Sequence, residues 1–206
     1  MSSHKLIRVE KQTDNKWINI YKAIYETEKG EYAYEFVSRR SQDKLALHST
    51  NLKPDAVRII PYYKKNGKIF VVLIKEYRYP INRAVYGVPA GLVDEGETAE
   101  TAAVRELMEE VGANAITLNM VEKTSFTSAG LTDESIMCFE AEVKLNSKQH
   151  LDDSEDIKVQ VVELSKLPEM LDKYEFPVQN RLLLRAFYYK QRVIELEKIA
   201  NTEKGI

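Results

Sequence analysis

The chain has 206 residues, 44% hydrophobic and 30% charged, with 30 Lys+Arg against 32 Asp+Glu. This is enough apolar content for a sizeable folded core. The near-neutral charge gives no reason to expect a nucleic-acid or anionic-membrane partner. The longest purely apolar run, Ile69–Ile74, is six residues and far short of a membrane span. No apolar leader stands in MSSHKLIRVE, so a cytoplasmic location is the expectation. The single cysteine, Cys138, cannot form an intrachain disulfide, and His4, His48 and His150 are too scattered for a zinc cluster.

In chain order, aromatic and β-branched residues alternate with polar ones from residue 14 to 40. This predicts strands over Lys16–Tyr21, which would carry Trp17, and over Tyr32–Ser38, with a turn near Lys29-Gly30. Residues 41–53 are polar and read as a linker. A hairpin follows, with Ala56–Tyr63 and Lys68–Tyr77 joined by Asn66-Gly67, a pair suited to the positive φ angles of a tight turn. Pro61 places its strand at an edge or at a bulge. Arg78–Leu92, rich in Pro and Gly, reads as a loop. Thr98–Val111 reads as a helix closed by Gly112. Strands are expected over 119–127, 134–145 and Ile157–Leu164, and helices over Pro168–Tyr174 and Asn180–Ala200. The domain division is 1–53, a small β-sheet subdomain with linker, and 54–206, the main domain. The first is too small to bury much surface alone and must dock on the main domain or on another subunit.

The chemistry lies in one stretch, Gly91-L-V-D-E-G-Glu97-T-A-E-T-A-A-V-Arg105-Glu106-L-M-Glu109-Glu110-V-Gly112. Glu106 and Glu110 are four apart on the helix and share a face, with Glu109 adjoining. Like charges at this spacing repel. Such a face either lies in water or holds a cation, and an all-oxygen donor set suits Mg²⁺ or Mn²⁺. The opposite face, Ala99, Ala103, Leu107 and Val111, is apolar and suited to packing on a sheet. Arg105 can pair with Glu97 or Glu109.

The full spacing resembles the Nudix box, G-x5-E-x7-R-E-U-x-E-E-x-G-U with U a bulky aliphatic. Gly91, Glu97, Arg105, Glu106, Leu107, Glu109, Glu110 and Gly112 all match, and only the last position, Ala113, departs. The resemblance implies an α/β fold, an α/β/α sandwich with a mixed sheet, here preceded by a small N-terminal antiparallel sheet. It implies hydrolysis of a nucleoside diphosphate linked to another group, usually with Mg²⁺. Glu106, Glu109 and Glu110 would hold the metal with the Ala90 carbonyl as a further ligand, and Glu97 and Arg105 would be the supporting salt-bridge pair.

Two flanking runs narrow the branch. Glu76-Y-Arg78-Y-P…V-P-Ala90-Gly91 and Trp17-I-N-I-Y…Gly30-E-Y-A-Tyr34-E-F-V-S-Arg39 are similar to ADP-ribose pyrophosphatases. In that branch a small N-terminal sheet is exchanged between the subunits of a homodimer and helps wall the partner's active site. By that likeness Trp17 and Tyr34 would stack on the base. Arg39 and Arg78 would hold phosphate or ribose. In the acidic loop Asp152–Asp156, Glu155 or Asp153 would serve as general base or extra metal ligand. The implied substrate is a small nucleoside diphosphate sugar, ADP-ribose first, cleaved to AMP and ribose 5-phosphate. Another such sugar (GDP-mannose, UDP-glucose) and a non-catalytic nucleotide-sugar sensor are the alternatives. Ser128-Ala129-Gly130-Leu131-Thr132-Asp133-Glu134 keeps the frame of the branch's SPGxSDE run but has Ala129 in place of its proline, which implies a differently shaped nucleotide subsite.

Overall fold

The computed structural model describes residues 4–145, 148–151 and 156–203. The chain forms two compact units, Met1–Ala56 with Glu122–Met137, and Val57–Val121 with Cys138–Ile206. The first thus takes in a segment that the sequence reading placed wholly in the main domain.

The first unit carries a three-stranded antiparallel sheet, β1 (Lys5–Lys11), β2 (Asn19–Thr27) and β3 (Gly30–Ser38), in that spatial order. β2 and β3 pair from Asn19↔Ser38 to Thr27↔Gly30, and Gly30 closes the turn at φ 104°. The central strand buries Tyr21, Ala23 and Ile24. Two sequence expectations are corrected here. β1 is a strand that the sequence reading did not anticipate. Trp17 is not on a strand: the Asn19 amide closes a loop on Asn15, accepting from its N–H at 2.7 Å and donating to its carbonyl at 2.9 Å, so the chain turns before β2 begins. Trp17 is left 68% exposed.

Residues 41–53 are also more than a linker. Two 3₁₀ turns, Gln42–Lys44 and Ala46–His48, flank Leu45, which is 1% exposed. Arg40 grips Asp55 through Nε at 2.8 Å and Nη2 at 2.7 Å, and the Ala46 N–H donates to Asp133 Oδ2 at 3.0 Å. Arg40 is therefore a structural cation of this unit.

The second unit is built on β4 (Ala56–Lys65), β5 (Lys68–Arg78), β6 (Arg83–Gly87), β7 (Ala90–Leu92), α1 (Ala99–Val111), β8 (Ala113–Phe126), β9 (Ser135–Leu145), β10 (Ile157–Glu163), α2 (Leu167–Lys173) and α3 (Val178–Glu203). β8 and β9 run through both units. The fold is mixed α/β, with spatial order β10-β5-β4-β9-β8, β6 beside β5 and β7 beside β4. The Asn66-Gly67 hairpin forms as the sequence predicts, with φ 51° and 76°. Pro61 is not on an edge, since β4 lies between β5 and β9. Pro61 lies just outside the β4–β5 register, which runs from Tyr62↔Val71 to Lys65↔Lys68, so it takes no hydrogen bond from that ladder. Arg78–Leu92 is not a plain loop either: it contains β6 and β7.

Strand alternation gives the sheet two apolar faces. Val71 and Leu73 of β5 pack with Leu167 and Leu171 of α2 and Leu184 and Phe187 of α3. Val72 and Ile74 point the other way and are equally buried, and α1 packs against β5 and β10. The α1 face predicted to be apolar, Ala99, Ala103, Leu107 and Val111, is buried throughout. No helix among the described residues is long and apolar enough to cross a membrane.

Because Leu45 is enclosed, Leu45→Ala should lower unfolding free energy by about 2–4 kcal/mol in urea titration. A loss below about 1 kcal/mol would return the segment to linker status.

Candidate active site

Helix α1 is bounded by its own sequence. The Thr98 hydroxyl accepts from the Thr101 N–H at 3.2 Å, and Gly112 ends the helix at φ 63°, its N–H bonded to the carbonyls of Leu107 and Met108. The helix presents Glu106 and Glu110 as 7% and 3% exposed residues, with Glu109 more open. A solvated acidic face is ruled out. Burying carboxylates demands compensation, and one residue provides much of it.

That residue is Arg105. Its Nε and Nη2 take the two oxygens of Glu97 at 3.2 and 3.0 Å, and Nη2 also donates to the Leu92 carbonyl at 2.9 Å. Nη1 donates to Glu106 Oε1 at 2.6 Å and to Glu109 Oε2 at 2.9 Å. The fork geometry of a guanidinium allows this double duty, where an ammonium could not match it. Arg105's hydrogen bonds hold the Glu97 carboxyl below the usual carboxylate range, against the opposing effect of burial. Glu97, in return, is the main cause raising Arg105 above its ordinary value. Glu97 also fixes the preceding turn, accepting from the Asp94 N–H at 3.1 Å.

The β7 strand lies against this face with no space to spare. The Ala90 N–H donates to Glu110 Oε2 at 3.0 Å. A Cβ on Gly91 would sit 1.8 Å from Glu106 Oε1, so only glycine leaves room for that carboxylate. Ala90, Glu97, Arg105, Glu106, Glu109 and Glu110 are thus brought together. Among the described residues no three acidic side chains converge as a ready-formed ion site, because Arg105 stands between Glu106 and Glu109. The donor chemistry still fits a hard divalent cation: oxygen ligands only, on a rigid helix, in a cradle that a side chain on residue 91 would fill.

The remaining predicted residues are distributed. Arg78 lines a cavity of about 670 Å³ in the second unit that Ala90 also borders, and pairs with Glu76 at 2.8 Å. Trp17, Tyr34 and Arg39 belong to the first unit. Lys16 Nζ sits 4.5 Å from the centroid of the exposed Trp17 ring. Tyr34 donates to the Gly130 carbonyl at 2.6 Å and lines an aromatic cavity of about 490 Å³ with Tyr32, Phe36, Phe126 and Ala129. Arg39 is half exposed, 3.6 Å from Glu134. Asp153 and Glu155 lie outside the described residues. The sequence reading missed Arg58 and Asn180, both on the wall of the larger cavity. An arginine inside the apolar run AVRIIPYY was a readable signal for the first. Asn180 gave none.

Residues 52–185 match the NUDIX domain. A Caenorhabditis elegans protein named as a nudix hydrolase is 34% identical over 89% of this chain and 84% of its own. An ADP-ribose pyrophosphatase of Saccharomyces cerevisiae is 30% identical over 81% of this chain and 73% of its own. A crystal structure of an ADP compounds hydrolase superposes with TM-score 0.71, covering 93% of this chain and 97% of that one at 20% identity, a likeness of fold.

Gly91→Ala should leave the fold intact, because the clashing atom is the end of a side chain, yet displace Glu106. Turnover should fall by about 10²-fold with little change in Tm. Wild-type turnover in this variant would show that the cradle around Glu106 is not used.

Proposed function

The chain belongs to the NUDIX family as an ADP-ribose pyrophosphatase-like hydrolase of nucleoside diphosphate sugars, and from that premise we propose that its substrate is ADP-ribose, cleaved with Mg²⁺ or Mn²⁺ to AMP and ribose 5-phosphate. The observation that carries this reading is the intact carboxylate set of α1, Glu106 and Glu110 buried and Glu109 more open, with Arg105 bracing Glu106 and Glu109 and the Ala90 N–H holding Glu110. A sensor that only binds would have no use for it.

Glu106, Glu109, Glu110 and the Ala90 carbonyl would hold the cation. When bound, it neutralises phosphate oxygens and lowers the pKa of the attacking water. The protein's own groups do the rest. Arg105 and Glu97 keep the helix carboxylates oriented without themselves touching substrate. Arg78 and Arg39 bind phosphate oxygens, where a guanidinium gives two-point contact. Trp17 and Tyr34 stack on the adenine. Glu155 or Asp153 takes the proton of the water as its oxygen attacks phosphorus and the P–O bond to the leaving phosphate breaks. Most of the acceleration then comes from positioning and charge stabilisation.

The reading includes a homodimer, in the cytoplasm. Trp17, Tyr32 and Tyr34 of the first unit are exposed, Tyr32 and Tyr34 in ring contact at 6.5 Å, and exposed aromatic surface favours association.

The test is release of the nucleoside monophosphate, AMP from ADP-ribose, GMP from GDP-mannose and UMP from UDP-glucose, with and without chelator. ADP-ribose should be the best substrate, with activity lost in chelator and restored by Mg²⁺ or Mn²⁺. Glu106→Gln should lower kcat on the order of 10²–10³-fold with the fold kept. Faster turnover of GDP-mannose or UDP-glucose would overturn the substrate. No turnover of any of the three, despite tight binding, would favour the sensor.

A further inference from the structure

Two of the three carboxylate residues on α1 stand in its last turn, since Glu109 and Glu110 immediately precede Val111, the final residue of the helix. The carbonyls of a last turn have no partners within the helix, and an end left that way frays. Gly112 meets part of this need, its N–H donating to the carbonyls of Leu107 and Met108. The carbonyls of Glu109 and Glu110 are met from outside the helix, by one short stretch far along the chain. The His150 N–H donates to the Glu109 carbonyl at 2.8 Å. Gln149 Nε2 donates to the Glu110 carbonyl at 2.5 Å.

The same nitrogen also reaches the other way, donating to the Ile157 carbonyl at 3.4 Å. A primary amide has two N–H groups and can serve two carbonyls. Ile157 opens β10 and faces Glu76 of β5 in the sheet register. One half-buried side chain therefore ties the end of α1 to the β10–β5 pair. Residues 148–151 form neither strand nor helix, so no ladder dictates this placement. The identity of the capped residues gives the bonds their weight. The Glu109 carboxylate is held by Arg105 Nη1 at 2.9 Å, and the Glu110 carboxylate by the Ala90 N–H at 3.0 Å. With their carbonyls held as well, these two residues are fixed at both backbone and side chain.

We propose that Gln149 is a positioning residue for the cation site: by bridging the Glu110 and Ile157 carbonyls it fixes the last turn of α1 against β10, and so holds the Glu109 and Glu110 carboxylates at the spacing a divalent ion needs. This rests on the hydrolase reading above and names a residue outside the box on which the same site depends. Gln149 is no ligand, because its amide N–H groups face two carbonyls. It acts through the glutamates. A small hard cation demands near-ideal ligand geometry, so a last turn free to shift loses affinity even with every ligand present. Partners that orient metal ligands matter for the same reason.

The experiment is calorimetric titration of the full chain with Mn²⁺ in the absence of substrate, set beside kcat and KM for ADP-ribose. Gln149→Met keeps the length of the side chain and removes its donors. It should weaken Mn²⁺ binding about tenfold and lower kcat by about the same factor, with KM changed less than about twofold. Gln149→Asn keeps the amide but shortens its reach; it should act in the same direction and serves if Gln149→Met does not fold. Leu171→Ala, in the core on the far side of the sheet from α1, separates placement from plain loss of stability: it should lower Tm and leave Mn²⁺ affinity and kcat at wild-type values. Three results would each overturn the proposal: unchanged Mn²⁺ affinity in the Gln149 variants, a loss confined to Tm as in Leu171→Ala, or no Mn²⁺ binding by wild type at millimolar concentration. The two readings separate cleanly. A wild type that binds Mn²⁺ through a Gln149-dependent site but cleaves no nucleotide sugar sinks the hydrolase reading alone. An active enzyme whose Mn²⁺ affinity is indifferent to Gln149→Met sinks this one alone.

Discussion

A single guanidinium holds the carboxylate face of α1 together. Arg105 contacts Glu97, Glu106, Glu109 and the Leu92 carbonyl at once. Without it, three helix carboxylates at mutual spacings of one, three and four residues would repel one another, two of them from buried positions. The brace also has a directional effect. By tying Glu97 and Leu92 to the helix, Arg105 sets the path of the chain between β7 and α1. That path brings Gly91 under Glu106 and the Ala90 N–H onto Glu110. The box spacing is in this sense a set of distances around one side chain.

The sheet supplies the platform. Its two apolar faces, filled from one side by α1 and from the other by α2 and α3, fix all three helices on one rigid element. Sites built on helices and strands hold their geometry better than sites on loops. The carboxylates sit on α1, and a cavity of the second unit is walled by residues of β4, β5, β6 and β7, of the segment before α3 and of the start of α3. Arg78, at the end of β5, then adds charge to a frame that is already set.

Much of this was legible in the sequence, wherever local signals decide. Thr98 and Gly112 bracket α1, Asn66-Gly67 makes the hairpin, and the glycine, arginine and glutamates of the box carry their spacing openly. The misreadings share a cause. β6 and β7 have five and three residues and exist through pairing with β5 and β4, which no local pattern encodes. Trp17 left its expected strand because of the Asn15–Asn19 bonds. Leu45 made core out of a polar-looking segment. Asn180 looks like any polar residue at a helix start until the space over Gly87 is seen.

The central claim is that Arg105 acts by bracing carboxylates rather than by stabilising the fold, and Arg105→Lys tests it most directly. Lysine keeps the positive charge but cannot span Glu97, Glu106 and Glu109 with one planar fork. In saturating Mg²⁺ with ADP-ribose, kcat should fall about 10- to 100-fold, the range for losing a group that orients metal ligands, while circular dichroism shows a folded protein. Arg105→Lys turning over ADP-ribose at the wild-type rate would contradict the account.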